Sequence, residues 1–277
     1  MRPTQRKRRR RRTGAGKRFL ILLLVMAMVI CLLMLAFQLA EGRKTVAEVS
    51  PVFISPPPAV TETPAPTPTP EPTPALPDVD INDWSMRLIR YEYPLGEDFV
   101  PESLTDVGDT ERMDGRVAPA LTALIEAARA EGHSVYVCSG YRDYDTQSWI
   151  YWNHIDTYEA QGMTYEEADA ATRLAVNYPG SSEHQSGLSV DLLESPQQDM
   201  EPYIGGSGLM LWLEQHCADY GFVIRYPDGK TDITGVEYEP WHLRYVGGTA
   251  ARYMMDNDLC LEEFLALYDE VYQAFTQ

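Results

Sequence analysis

Between residues 51 and 77 the chain carries 11 of its 20 prolines, in runs such as APTPTPEPTPALP. Proline fixes its own φ and has no N–H to give to a helix or a ladder. This stretch therefore builds no core and reads as an extended polyproline-type spacer. At about 3.1 Å per residue it reaches roughly 80 Å. It divides the 277 residues into a short N-terminal part and a longer one from about residue 82 onward, long enough for one sizeable core.

The short part is polarised. Ten of the 23 Lys and Arg residues fall in the first 18 positions, and no Asp or Glu precedes Glu41. From residue 19 onward 13 basic residues face 41 acidic ones, a balance of −28. The run RKRRRRR (Arg6 to Arg12) taken alone suits a nucleic-acid patch. An acidic remainder of that size excludes nucleic acid as a partner. The basic run leads into FLILLLVMAMVICLLMLAFQL, Phe19 to Leu39, in which only Gln38 is polar. A helix needs about 20 apolar residues to cross a bilayer, and flanking basic residues favour the cytoplasmic side. A cleaved signal peptide has a shorter apolar region, about 7–15 residues, and a small-residue cleavage site that QLAEG matches poorly. The expected organisation is a basic cytoplasmic tail (1–18), a single-pass signal-anchor (19–40), a Pro/Thr-rich linker (41–81) and an extracellular domain (82–277).

Within 82–277 the patterns alternate between helix and strand. Arg116–Gly132 places Val117, Leu121, Leu124, Ile125 and Ala128 on one helical face and ends at glycine. HSVYVCS reads as a strand, Asp143–Gln161 as a helix, and TYEE as a capping box opening another helix at Thr164. NYPGSS is a loop. A strand over 187–193, a helix over 207–220, the strand FVIRY, a turn at PDGK, the strand WHLRYV and two short helices complete the chain. Without a regular βαβ rhythm the expected class is α+β, with a small, mainly antiparallel sheet flanked by helices. Cys138, Cys217 and Cys260 cannot all pair with one another, and no metal-type cysteine spacing occurs. One disulfide remains open outside the cell; the simpler reading is buried thiols, above all for Cys138 in its apolar strand.

The strand GLSVDLL carries a carboxylate. Period two sets Leu188, Val190 and Leu192 on one face and Gly187, Ser189 and Asp191 on the other, with His184 just upstream. Downstream, EYEPWHLRYVGG supplies Glu239 and then His242, which opens the next strand. Two His and one Asp make three ligands for Zn²⁺ with a fourth position left for water, and a nearby Glu suits a general base. A satisfied polar core explains the same residues, and spacing leaves both readings open. Arg142, after a Ser-Gly turn, reads by itself as a surface ion pair.

SEHQSGLSVDL, which opens on Ser182, and EPWH resemble the two signatures S-x-H-x-x-G-x-x-x-D and E-x-W-H of the zinc D-alanyl-D-alanine carboxypeptidases, the VanY-like M15 peptidases. The similarity extends to SGYRDYDTQ and YGFVIRYPDGK and spans nearly all of 90–275. It implies His184, Asp191 and His242 as zinc ligands and Glu239 as catalytic base. It implies Arg142 as the group that polarises the scissile carbonyl, and Gln147 and Ser182 as contacts to the peptide's end. The substrate so implied is a peptidoglycan stem peptide, cut first as a D,D-carboxypeptidase, with L,D-carboxypeptidase action next and endopeptidase action third. A non-catalytic, zinc-stabilised wall-binding module is the alternative of another class. His133, His154 and His216 have no acid-and-histidine companion and read as structural or exposed. Trp149, Tyr151 and Trp152 suit a glycan groove or core packing equally, and Trp241 suits a packing role that fixes the EPWH turn.

Overall fold

Short apolar strands in this chain bury one face and leave the other polar, which requires a helical layer on the apolar side. The computed structural model describes residues 75–276. In chain order these hold β1 (Leu104–Asp106), β2 (Arg112–Asp114), α1 (Ala118–Ala130), β3 (Tyr136–Ser139), α2 (Tyr144–Ala160), α3 (Tyr165–Ala175), β4 (Ser189–Leu193) and α4 (Gly208–His216). Beyond them lie β5 (Phe222–Tyr226), α5 (Thr231–Thr234), β6 (Glu239–Tyr245), α6 (Gly248–Asp256) and α7 (Leu261–Ala266). Four strands form an antiparallel sheet in the order β3-β4-β6-β5, and β1 and β2 form a separate hairpin. The class is α+β, and among the described residues no helix is long and apolar enough to cross a membrane. The expected basic tail, membrane span and most of the Pro-rich linker lie outside the described residues.

The register explains which face is which. Val190 pairs with Leu243, Ile224 with Leu243 and Val137 with Leu192, so these side chains share one side of the sheet. There they pack with Leu121, Leu124, Ile125 and Ala128 of α1 and Leu209, Met210 and Leu213 of α4. A second apolar cluster joins Val223 to Ala250, Ala251 and Met254 of α6 and to Leu261, Phe264 and Leu265 of α7. Contacts to this cluster reach back to Val79 and Ile81, and Tyr268 donates its hydroxyl to the Pro77 carbonyl at 2.6 Å. The domain's packing thus begins a few residues before position 82.

The helix signals hold well. Asp143 caps α2 by accepting from the Thr146 amide, and Thr164 and Glu167 form the reciprocal capping box of α3. Two expectations are corrected. His242 sits in the middle of β6 rather than at its start, because Glu239 already pairs with Tyr226. The strand expected over 187–193 starts at Ser189, since Gly187 adopts φ +69° and closes a 3-10 turn over Glu183–Ser186. The three thiols are free: Cys217 and Cys260 are buried as the simpler reading had it, whereas Cys138 is only partly covered. Burial pushes the Cys217 thiol up to about 12, so it stays protonated.

Candidate active site

The sheet brings chemistry together by register. Asp191 of β4 pairs directly with His242 of β6 and with Ser139 of β3, so all three project from the face opposite the apolar core. His184 comes from the 3-10 turn Glu183–Ser186, and the left-handed Gly187 that ends the turn returns the chain to β4. The result is a closed triad. Asp191 Oδ2 lies 3.2 Å from His184 Nε2, and Asp191 Oδ1 lies 3.0 Å from His242 Nδ1. One ligand atom from each residue falls within 4.8 Å of the others, and all three side chains are buried.

These residues fit a metal ion better than they fit one another. Asp191 Oδ1 is buried yet lacks an aligned hydrogen bond despite its short approach to His242. His184 Nδ1 lies 2.7 Å from the Gly140 carbonyl, which fixes the proton on Nδ1 and leaves Nε2 bare toward Asp191. The two imidazoles stand perpendicular, 89° apart with centroids at 4.9 Å, both aimed at the same carboxylate. Two imidazole nitrogens and one carboxylate oxygen are a Zn²⁺ donor set with an open position. Without an ion, the Asp191 oxygen is left incompletely satisfied in this polar cluster.

Charges around the triad are arranged in opposite senses. Burial alone would raise the Asp191 carboxyl, but His184 and His242 hold it well below the ordinary carboxylate range. Glu239 Oε2 stands 3.6 Å from His242 Nδ1, with 13 % of its side chain exposed to the cleft. Burial pushes Glu239 up to about 8, with the Asp191 and Glu183 charges acting in the same direction against His242 and Arg142. Two neighbouring carboxyl groups driven apart in this way take different chemical roles.

Arg142 is no surface ion pair. Its Nη1 donates to Gln147 Oε1 at 2.6 Å, its Nη2 donates to Ser139 Oγ at 2.9 Å, and Nη2 lies 4.0 Å from Asp191 Oδ2. Gln147 is buried on α2 and donates its amide to the Asn177 carbonyl at 2.6 Å, so both ends of its side chain are engaged in holding Arg142. Ser182 is buried at the start of the 3-10 turn and lines the same cleft, a hollow of about 440 Å³. His154, set aside in the sequence, also faces this cleft from α2. His133 and His216 instead pack against Trp212. Tyr151 is core, bonded to Asp169, while Trp149 is exposed on the outer side of α2. Trp241 packs in the main core and also borders the cleft. Sequence reading passed over Glu183, which is wholly buried behind His242; its signal was two arginines in mid-strand, Arg225 and Arg244, that need a buried counter-charge.

Residues 110–248 match the VanY family, described as D-alanyl-D-alanine carboxypeptidase. The chain belongs to this family of zinc metallopeptidases, as the two signatures implied. A D-alanyl-D-alanine carboxypeptidase of Enterococcus faecalis is 39% identical over 186 residues, 67% of each chain. The zinc-bound crystal structure of the vancomycin resistance D,D-pentapeptidase VanY from a VanB-type cassette matches with a TM-score of 0.60 and 39% identity, covering 66% of this chain and 99% of that one. The LdcB LD-carboxypeptidase matches with a TM-score of 0.56 and 36% identity, covering 64% and 84%. Zn²⁺ is the cofactor that the family and this donor set share.

Proposed function

We propose that the protein is a zinc-dependent D,D-carboxypeptidase that hydrolyses the terminal D-alanine from peptidoglycan stem peptides. The observation that carries this reading is the Glu239 carboxyl beside the His184–Asp191–His242 triad, with Arg142 fixed across the same cleft. In this reading His184 Nε2, an Asp191 oxygen and His242 Nδ1 hold the ion. Zn²⁺ bound there supplies Lewis acidity and lowers the pKa of water at its open position. Glu239 takes the proton from the attacking water and gives it to the leaving D-alanine amine as the C–N bond breaks. The Arg142 guanidinium, held by Gln147 and Ser139, donates to the developing oxyanion without having to reorganise. In the same reading Ser182 and Gln147, which both line the cleft, would meet the peptide's end.

Glu239→Ala is the direct test. Activity on a pentapeptide stem should fall by about 10²–10⁴-fold while bound zinc, measured by metal analysis, stays at one ion per chain. Full activity would remove Glu239 from the mechanism. L,D-carboxypeptidase action is the second reading, supported by the LdcB likeness. Incubation with defined penta- and tetrapeptide muropeptides decides between them by which one loses a single alanine mass. Zinc with tight binding and no product from either would instead support a wall-binding module, a role for which Glu239 is not needed. We further propose, from the basic run and the apolar stretch Phe19 to Leu39, that the domain stands outside the cell membrane on a single N-terminal anchor.

A further inference from the structure

His184 has an outer partner in the Gly140 carbonyl; the corresponding nitrogen of His242 has none within bonding geometry. His242 Nε2 is buried and unpartnered, and so is Glu183 Oε2, and the two face each other at 3.8 Å. Each group left alone carries the cost of an unmet buried polar atom. A small closing movement satisfies both.

The carboxylate is held from the other side. Glu183 Oε1 accepts from Arg225 Nε at 2.8 Å and from Arg244 Nη1 at 2.6 Å. Both arginines lie on the His242 face of the sheet: Arg244 two residues beyond it on β6, and Arg225 two residues beyond Val223, which pairs with Arg244. Neither is free to swing. Arg225 forms a fork with Glu262 of α7 at 2.9 and 2.7 Å, and Arg244 Nη2 donates to the Ser85 and Arg87 carbonyls, each at 2.8 Å. One oxygen of Glu183 is thus pinned while the other is aimed at the imidazole. The same 3-10 turn that carries His184 carries this group, so it both supplies one ligand and orients another.

We propose that Glu183 is the positioning residue of His242: its Oε2 accepts the Nε2–H of that ring, which commits Nδ1 to the metal. The inference rests on the assignment of His242 as a zinc ligand. Glu183→Gln tests it sharply, because two arginine donors keep the amide oxygen on their side. The NH₂ then faces Nε2, and the ring is driven toward the tautomer protonated on Nδ1, which cannot bind metal.

The experiment uses the full chain and zinc alone, with affinity read by chelator competition. Glu183→Gln should bind zinc about 10–100-fold more weakly. Glu262→Gln disturbs the same buried network without touching the Glu183–His242 contact and should bind as wild type. Equal weakening in both variants, or none in either, overturns the proposal. Since the first variant leaves two arginines without their shared counter-charge, a second readout needs no substitution. In the ¹⁵N-histidine spectrum of zinc-loaded wild type, His242 should carry a slowly exchanging proton on Nε2. A bare Nε2 overturns the proposal. His242→Ala separates this from the wider reading: zinc affinity unchanged in that variant would mean His242 is no ligand, a failure of the assignment and not of the positioning role alone.

Discussion

At the scale of single residues, Arg142 shows how a side chain's task depends on what holds it. An exposed arginine contributes little, but this one is fixed by Gln147 and Ser139 and faces the triad. Lysine keeps the charge and loses the planar fork, so it cannot meet both holders and the substrate oxygen at once. Arg142→Lys should lower kcat by about 10²–10³-fold on the preferred muropeptide, with zinc content unchanged, as steady-state kinetics and metal analysis will show. Gln147→Ala should lower kcat in the same direction by releasing Nη1. The cluster of His184, Asp191 and His242 with Glu239 beside it was legible in the sequence because each residue sits in a short local pattern. Glu183 was not, since its meaning depends on Arg225 and Arg244, 42 and 61 residues away. A buried charge is recognisable in a sequence only once its partners are known to be near.

Among the elements, the turn between His184 and β4 carries the most constraint. Gly187 adopts φ +69°, and a Cβ there would meet the Asp114 amide nitrogen at 2.8 Å. Gly187→Ala therefore meets both a left-handed backbone cost of about 1–2 kcal/mol and a collision with backbone. It should reduce thermal stability and weaken zinc binding together, because the turn sets the spacing of His184 and Asp191. Helix α2 provides a milder case. The Thr146 contacts hold the Asp143 carboxyl below its usual value. A lowered folded-state pKa means that the cap's contribution is full above the unfolded carboxyl value near 4 and is lost as pH falls through the folded value. Asp143→Ala should cost about 0.5–2 kcal/mol at neutral pH and show a smaller stability loss on acidification than wild type, both read by chemical denaturation. Capped helices and alternating strands were visible beforehand for these local reasons. The β1–β2 hairpin was not, because LTD and RMD are too short to show a period. The start of β6 was hidden by Pro240, whose missing N–H argues against a strand; the ladder accommodates it opposite a register shift between Ile224 and Tyr226.

For the molecule as a whole, the proposed reading raises the question of what would hold an acidic hydrolase at an anionic envelope. A chain with a balance of −28 from residue 19 onward gains nothing from electrostatic attraction to such a surface and is repelled by it. Retention on the proposed reading must come from the apolar stretch Phe19 to Leu39, and access to wall peptides from the proline-rich spacer. Shortening the spacer should then change where the domain can act without changing what it does. If the spacer is extended as its prolines lead one to expect, a chain lacking residues 51–70 loses about 60 Å of reach at 3.1 Å per residue, while His184, Asp191, Glu239 and His242 are untouched. Its rate on soluble muropeptides should equal that of the full chain. In cells, both proteins should sediment with membranes, but the shortened one should leave a larger fraction of stem peptides untrimmed in purified wall. Equal trimming by both would show that the spacer's length does not limit access. Recovery of the full chain in the medium would show that Phe19 to Leu39 does not retain it.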